Sequence, residues 1–217
     1  MNKKITLTKN TQSVKYLCSK DKKLNKLINI IGNISYIPYG TNNSYSFLVQ
    51  EIIEQMLSMK AGQKIYERLK ILCNGKITPN NISNLTFKEI RSIGTSNSKA
   101  NYILNLTEAI ICKKIKLSKL KNLPDEEIIK HLTSIKGIGI WTAKMYLIFV
   151  LNRQDVLPVE DGAFAQAYKW LYKTADYNKQ TVIKRCKKWK PYSSIAARYL
   201  YKALNTNLTK TDFYLFK

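Results

Sequence analysis

The sequence predicts an all-α protein, on three observations. Apolar residues recur at helical spacing, most clearly along Phe47, Leu48, Ile52, Ile53, Met56, Leu57, Ile65, Leu69 and Leu72. No comparable stretch alternates with period two. Helix start and stop signals, an acidic or capping residue before a periodic run and a glycine after it, punctuate the chain.

Taken in order, residues 1–12 are polar and lysine-bearing, and they read as a frayed tail without the apolar core of a signal peptide. Residues 14–31 read as one helix ended by Gly32, and the stripe from Phe47 to Leu72 reads as another. The uncharged stretch 27–50 is broken by Gly32, Pro38 and Gly40, which excludes a membrane span there. Further helices are expected over 86–92, stopping near Gly94, over 98–112, and over 125–132, where Pro124 and the acidic Asp125, Glu126 and Glu127 suit a helix N-terminus. Residues 141–151 are apolar on nearly every side, so they should form a central buried helix. Pro158 stops its continuation and makes 155–160 a loop feeding a helix that starts near Asp161.

The chain of 217 residues carries 37 Lys+Arg against 14 Asp+Glu, a formal charge of +23, and a polyanionic partner is the usual reason such self-repulsion is tolerated. Cys18, Cys73, Cys112 and Cys186 lie far apart in sequence, which argues against a zinc or iron–sulfur site and for reduced thiols in a cytoplasmic protein. His131 stands alone, without ligand partners, and reads as a solvent-facing or capping residue. No cofactor is called for.

Residues 132–143 read L-T-S-I-K-G-I-G-I-W-T-A, a turn between two helical patterns. Gly137 and Gly139 leave its amides uncovered by any Cβ, so a phosphate oxygen can approach closely. Such a turn holds a nucleic-acid backbone without reading its bases. Asp161 follows Gly139 by 22 residues, about one buried helix and a turn, which would bring its carboxylate within reach of a nucleotide whose phosphate sits at the hairpin. The alternative is a plain helix N-cap.

With these residues in view, the chain resembles the helix-hairpin-helix DNA glycosylases, and most closely the DNA-3-methyladenine glycosylase II (AlkA-like) branch. The likeness rests on five ordered segments and on Asp161. Asp21, Leu24, Leu27, Ile28, Ile31 and Gly32 resemble the family's first helix, and Ile52-Ile53-Glu54-Gln55-Met56-Leu57-Ser58 is similar to its I-I-x-Q-Q-x-S segment. Gly94-Thr95-Ser96-x-x-Lys99-Ala100 resembles its G-x-S-x-x-K-A turn, the G-I-G hairpin its namesake, and Trp189-x-Pro191-Tyr192-x-Ser194-x-Ala196 its W-x-P-x-R-S-x-A helix.

The resemblance implies two helical lobes with an active-site cleft between them, one formed by both chain ends (1–45 and 153–217) and a continuous one over 46–152 that ends in the helix-hairpin-helix. It implies an enzyme of base excision repair, a hydrolase that flips an alkylated purine of the 3-methyladenine type out of double-stranded DNA and cuts its N-glycosidic bond. A monomer is expected. Asp161 matches the catalytic carboxylate. Trp141 and Tyr201 lead the candidates for the base pocket, followed by Tyr146, Tyr39 and Tyr36, each of which is otherwise a core or surface aromatic. Gln55 and Met56 fall on the helix wedge that fills the vacated stack, although Met56 reads equally as core packing. Lys136, Gly137, Ile138, Gly139 and Thr142 would hold the DNA backbone. The carbonyls of Thr133, Ile135 and Ile138 fall where the family places a monovalent cation, with no side-chain metal site.

Two departures narrow the activity. Strand-cutting members carry a lysine after G-x-G-x that attacks the sugar; here that residue is Trp141. The C-terminal four-cysteine cluster of other branches is absent, with only Cys186 in the last hundred residues. Both point to a monofunctional glycosylase. Ser193 in place of the arginine of W-x-P-x-R, and Glu160 beside Asp161, also depart from the family pattern. The rival readings are a glycosylase for hypoxanthine, uracil or an oxidised purine, and a damaged-DNA-binding protein without catalysis.

Overall fold

The structure, a computed structural model, describes residues 3–215. The chain divides into two compact units, one of residues 1–38 with 152–217 and one of 39–151.

The first unit opens with β1 (Ile5–Leu7), then α1 (Gln12–Lys20), α2 (Lys22–Ile31) and β2 (Ile34–Tyr36). Two expectations fail here. The supposed tail holds a strand: β1 pairs antiparallel with β2, Thr6 opposite Ser35, and Leu7 is buried. Three residues are too few to show a period, and the partner strand arrives only after two helices. The single helix over 14–31 is broken at Asp21, which leaves helical geometry at φ −142° and ψ 105° and caps α2 through Lys23 N at 3.0 Å and Leu24 N at 3.2 Å. The apolar stripe runs through the break because both helices bury the same side.

The second unit contains α3 (Ser44–Glu54), α4 (Met59–Leu72), α5 (Pro79–Ser83), α6 (Phe87–Ser92), α7 (Asn97–Ile111), α8 (Leu117–Leu120), α9 (Asp125–Thr133) and α10 (Ile140–Met145), which runs on into a π turn, Tyr146–Val150. The long stripe expected from Phe47 to Leu72 is thus two helices, split by a turn at residues 55–58. Thr86 and Glu89 form a capping box at α6, and Ser96 caps α7. The core comes from α3, α7 and α10, with Leu48, Ile52, Ile103, Leu106 and Leu147 among the residues fully buried. This unit begins before residue 46 because Tyr39 N donates to Phe149 O (2.9 Å) and Ser44 Oγ meets Tyr146 Oη (2.8 Å).

The chain returns to the first unit with α11 (Gly162–Tyr172), α12 (Lys179–Cys186) and α13 (Ser193–Asn205). Here α13 packs on α11 and α2 around Trp189, Phe164, Tyr199 and Leu24, all fully buried. Asp21 is the polar pin of this core, 2% exposed. Its carboxylate takes hydrogen bonds from Tyr172 Oη and from Trp189 Nε1 (3.0 Å), and pairs with Lys188 Nζ at 2.9 Å. Burial alone would push Asp21 up; the donors from Tyr172, Lys188, Trp189 and Leu24 N together outweigh it and hold the carboxyl below its ordinary range. No helix among the described residues is long and apolar enough to cross a membrane.

Candidate active site

Asp161 sits immediately before α11, 8% exposed, and its Oδ1 accepts from Phe164 N at 2.6 Å. The N-cap that the sequence offered as an alternative is therefore real, and it fixes the side chain at the helix N-terminus, where a negative charge is favoured. The loop delivering it is tied down from several directions. Asp161 N donates to Pro158 O (3.0 Å) and Tyr177 Oη to Val159 O (3.1 Å). From α13, Ser193 Oγ donates to Asp155 Oδ1 (2.5 Å), Ser194 N to Gln154 O (2.9 Å), and Ser194 Oγ accepts from Val156 N (2.9 Å). Ser193 thus has a positioning task that its departure from the arginine pattern did not suggest.

In the second unit the hairpin joins α9 to α10. Gly137 has φ +105°, and a Cβ there would lie 2.2 Å from Cγ of Tyr102, so the fold requires glycine. Gly139 is different: φ is −95°, it is exposed, and a Cβ would meet nothing within 4 Å. The fold makes no demand for glycine at 139. Lys136 is exposed beside it, and so is Ile140, an apolar tip that the sequence reading passed over. Ile138 and Thr142 are corrected: each is buried as a whole residue, at 4% and 1% exposure, so neither presents its side chain to a DNA backbone. Ile138 N closes the turn onto Ile135 O at 3.0 Å.

The turn between α3 and α4 stands with the hairpin. Leu57 N donates to Glu54 O (3.0 Å) across Gln55 (φ −48°, ψ 126°) and Met56 (φ +56°), a β-turn of type II character with methionine in the position that glycine or asparagine normally takes. Met56 is fully exposed, which removes the core-packing alternative. Gln55 points the other way, its Nε2 donating to Gly137 O at 3.0 Å, so it braces the hairpin instead of serving as a wedge. Lys99 of α7, part of a sequence motif to which no role was attached, donates from Nζ to Ile53 O (2.9 Å) and Gln55 O (2.6 Å). Burial lowers the pKa of its ammonium.

The expected aromatic residues separate. Trp141 is half-buried in the first turn of α10, and Tyr201 is half-buried against the core of its own unit. Tyr146 is fully buried and bonded to Ser44, so it is core and not pocket wall. Tyr39 lies edge-on to Phe47 at 4.9 Å, and burial, with the charges of Glu51 and Glu54, pushes its hydroxyl up. Tyr36 donates to Asn152 Oδ1 (3.2 Å) beneath the guanidinium of Arg198, 3.7 Å from the ring centroid, an arrangement with no sequence signal because its members are far apart in the chain. Among the described residues no cluster of His, Cys, Asp and Glu is placed to hold a metal ion.

The chain is 33% identical to DNA-3-methyladenine glycosylase 1 of Schizosaccharomyces pombe over 90% of its own length and 88% of the relative's. Its fold is similar to that of a DNA-3-methyladenine glycosidase from Bacillus halodurans, with a TM-score of 0.82 at 32% identity over 96% of both chains. A 3-methyladenine DNA glycosylase of S. pombe in complex with abasic DNA matches with a TM-score of 0.79 at 30% identity, over 90% of this chain and 97% of that one. Residues 49–191, from within the buried α3 through the hairpin and Asp161 to just before α13, match one family model, and the chain belongs to the HhH-GPD superfamily of base excision DNA repair proteins.

Proposed function

We propose that the protein is a monofunctional DNA glycosylase that flips an alkylated purine of the 3-methyladenine type out of duplex DNA and hydrolyses its N-glycosidic bond. The observation that carries this reading is Asp161, a nearly buried carboxylate held at a helix N-terminus by its cap, after a loop that Ser193 and Ser194 tie down at residues 154–156, in a chain whose hairpin presents Trp141 where a strand-cutting enzyme needs lysine.

An N-alkylated purine such as 3-methyladenine carries positive charge and is already a good leaving group. The enzyme then has two tasks: an electron-rich face for the cationic base, assigned to Trp141, and a negative charge near the sugar as it develops oxocarbenium character, assigned to Asp161. Water attacks the sugar with Asp161's assistance, the bond to the base breaks, and the electron pair leaves with the base. Extrusion costs roughly a few kcal/mol, and Met56, apolar and fully exposed, fills the vacated stack. The amides of Gly137 and Gly139, with Lys136, hold the backbone. The carbonyls of Thr133, Ile135 and Ile138 are oxygen donors of the kind a monovalent cation takes, Ile135 O keeping one lone pair beyond its bond from Ile138 N.

The test is incubation with DNA methylated by dimethyl sulfate. Release of free 3-methyladenine, strands cut only after alkali, and no adduct trapped by borohydride are expected. Intact methylated DNA after prolonged incubation would refute the activity, and a borohydride adduct would refute monofunctional chemistry.

A further inference from the structure

In a β-turn, types I and II differ by a flip of the central peptide, and only type II gives the third residue a positive φ. The central peptide of the 54–57 turn joins Gln55 to Met56, and its carbonyl is the one that Lys99 Nζ holds at 2.6 Å while also holding Ile53 O at 2.9 Å. A flip would carry Gln55 O away from the ammonium. It would also relieve Met56, an L-residue kept at φ +56°, a region that favours glycine or asparagine. Something must therefore oppose the flip, and the lysine is placed to do so.

Two further contacts make this a junction and not an isolated cap. Tyr102, one turn along α7 from Lys99, lies where a Cβ on Gly137 would collide with it, so α7 sets both the wedge turn and the hairpin. Gln55 itself bridges the two through its bond to Gly137 O.

We infer that Lys99 is a positioning residue for base flipping: by pinning the Gln55 carbonyl it locks the turn in the form that projects Met56 outward. The inference rests on the reading of Met56 as the wedge. Without the ammonium, the turn relaxes, Met56 takes a negative φ, and its side chain leaves the outward direction while the hairpin keeps its hold on the backbone.

The experiment uses the full chain and two readouts. In the free protein, methyl-labelled methionine spectra should show the Met56 resonance moving in Lys99→Leu and returning in Lys99→Arg. On DNA, a duplex with a tetrahydrofuran abasic analogue flanked by 2-aminopurine reports filling of the stack. Lys99→Leu should reduce the fluorescence change about tenfold, to the level of Met56→Ala, and the double variant should be no worse than either single one. Affinity for undamaged duplex should stay within about twofold. A merely structural lysine would lower the melting temperature while leaving both readouts of the folded protein unchanged, and that result overturns the inference, as does a double variant with additive losses. If the Met56 resonance moves but Met56→Ala responds like the wild type, the wedge reading is what fails, and the flipping role of Lys99 falls with it. Should Lys99→Leu not fold, Lys99→Gln, neutral and too short to reach both carbonyls, carries the same test with the same outcomes.

Discussion

At the scale of single residues, Asp161 caps α11 and is proposed to supply the charge at the sugar, and one substitution separates the two. Asparagine caps a helix about as well as aspartate, so Asp161→Asn should cost about 1 kcal/mol or less in thermal or urea unfolding. It removes the negative charge, so release of 3-methyladenine should fall below detection while abasic DNA is still bound. Excision at near wild-type rate would leave only the cap. Met56 is the reverse case, a residue whose own backbone is under strain. Asparagine tolerates the left-handed region that methionine resists, so Met56→Asn should raise stability, by up to about 1 kcal/mol, and lower excision from duplex DNA. A destabilised Met56→Asn would show that the turn gains more from methionine than the geometry implies.

At the scale of elements, the hairpin contains one glycine that the fold needs and one that it does not. Gly137→Ala places a methyl against Tyr102 at a positive φ and should destabilise the protein by about 1–3 kcal/mol. Gly139→Ala enters open space at an ordinary φ, so its melting curve should match the wild type within experimental error. Its affinity for damaged and undamaged duplexes alike should nevertheless drop, because the added methyl stands where the proposed phosphate contact is made. Titration of both variants with the same pair of duplexes separates these outcomes, and unchanged affinity in Gly139→Ala would move the backbone grip away from this turn.

At the scale of the whole molecule, the first unit is assembled around the buried carboxylate of Asp21. Its pKa is lowered in the folded state, so the stability it contributes is present above the unfolded value of about 3.9 and is lost as pH falls through the lower, folded one. The melting temperature should therefore drop steeply below about pH 4, and Asp21→Asn should flatten that dependence while lowering stability at neutral pH. A variant as acid-sensitive as the wild type would assign the acid transition to other carboxylates. Asp21 also shows where sequence reading stops. Its place in a helix motif was legible, but Tyr172, Lys188 and Trp189 lie some 150 residues away and no local pattern announces them. What the sequence by itself determined is whatever depends on near neighbours: the helical class, the glycine hairpin, Asp161 at a helix start, and tryptophan in the lysine position. The tertiary structure decided the rest: that the 14–31 stripe breaks at Asp21, that Tyr146 is core, that Gln55 turns to the hairpin while Met56 turns to solvent, and that Ser193 and Lys99 hold the pieces in place. Periodicity records which face of a helix is buried, and it continues unbroken through a turn whose two helices bury the same side. Where a side chain ends is settled by partners that only folding brings within hydrogen-bond reach.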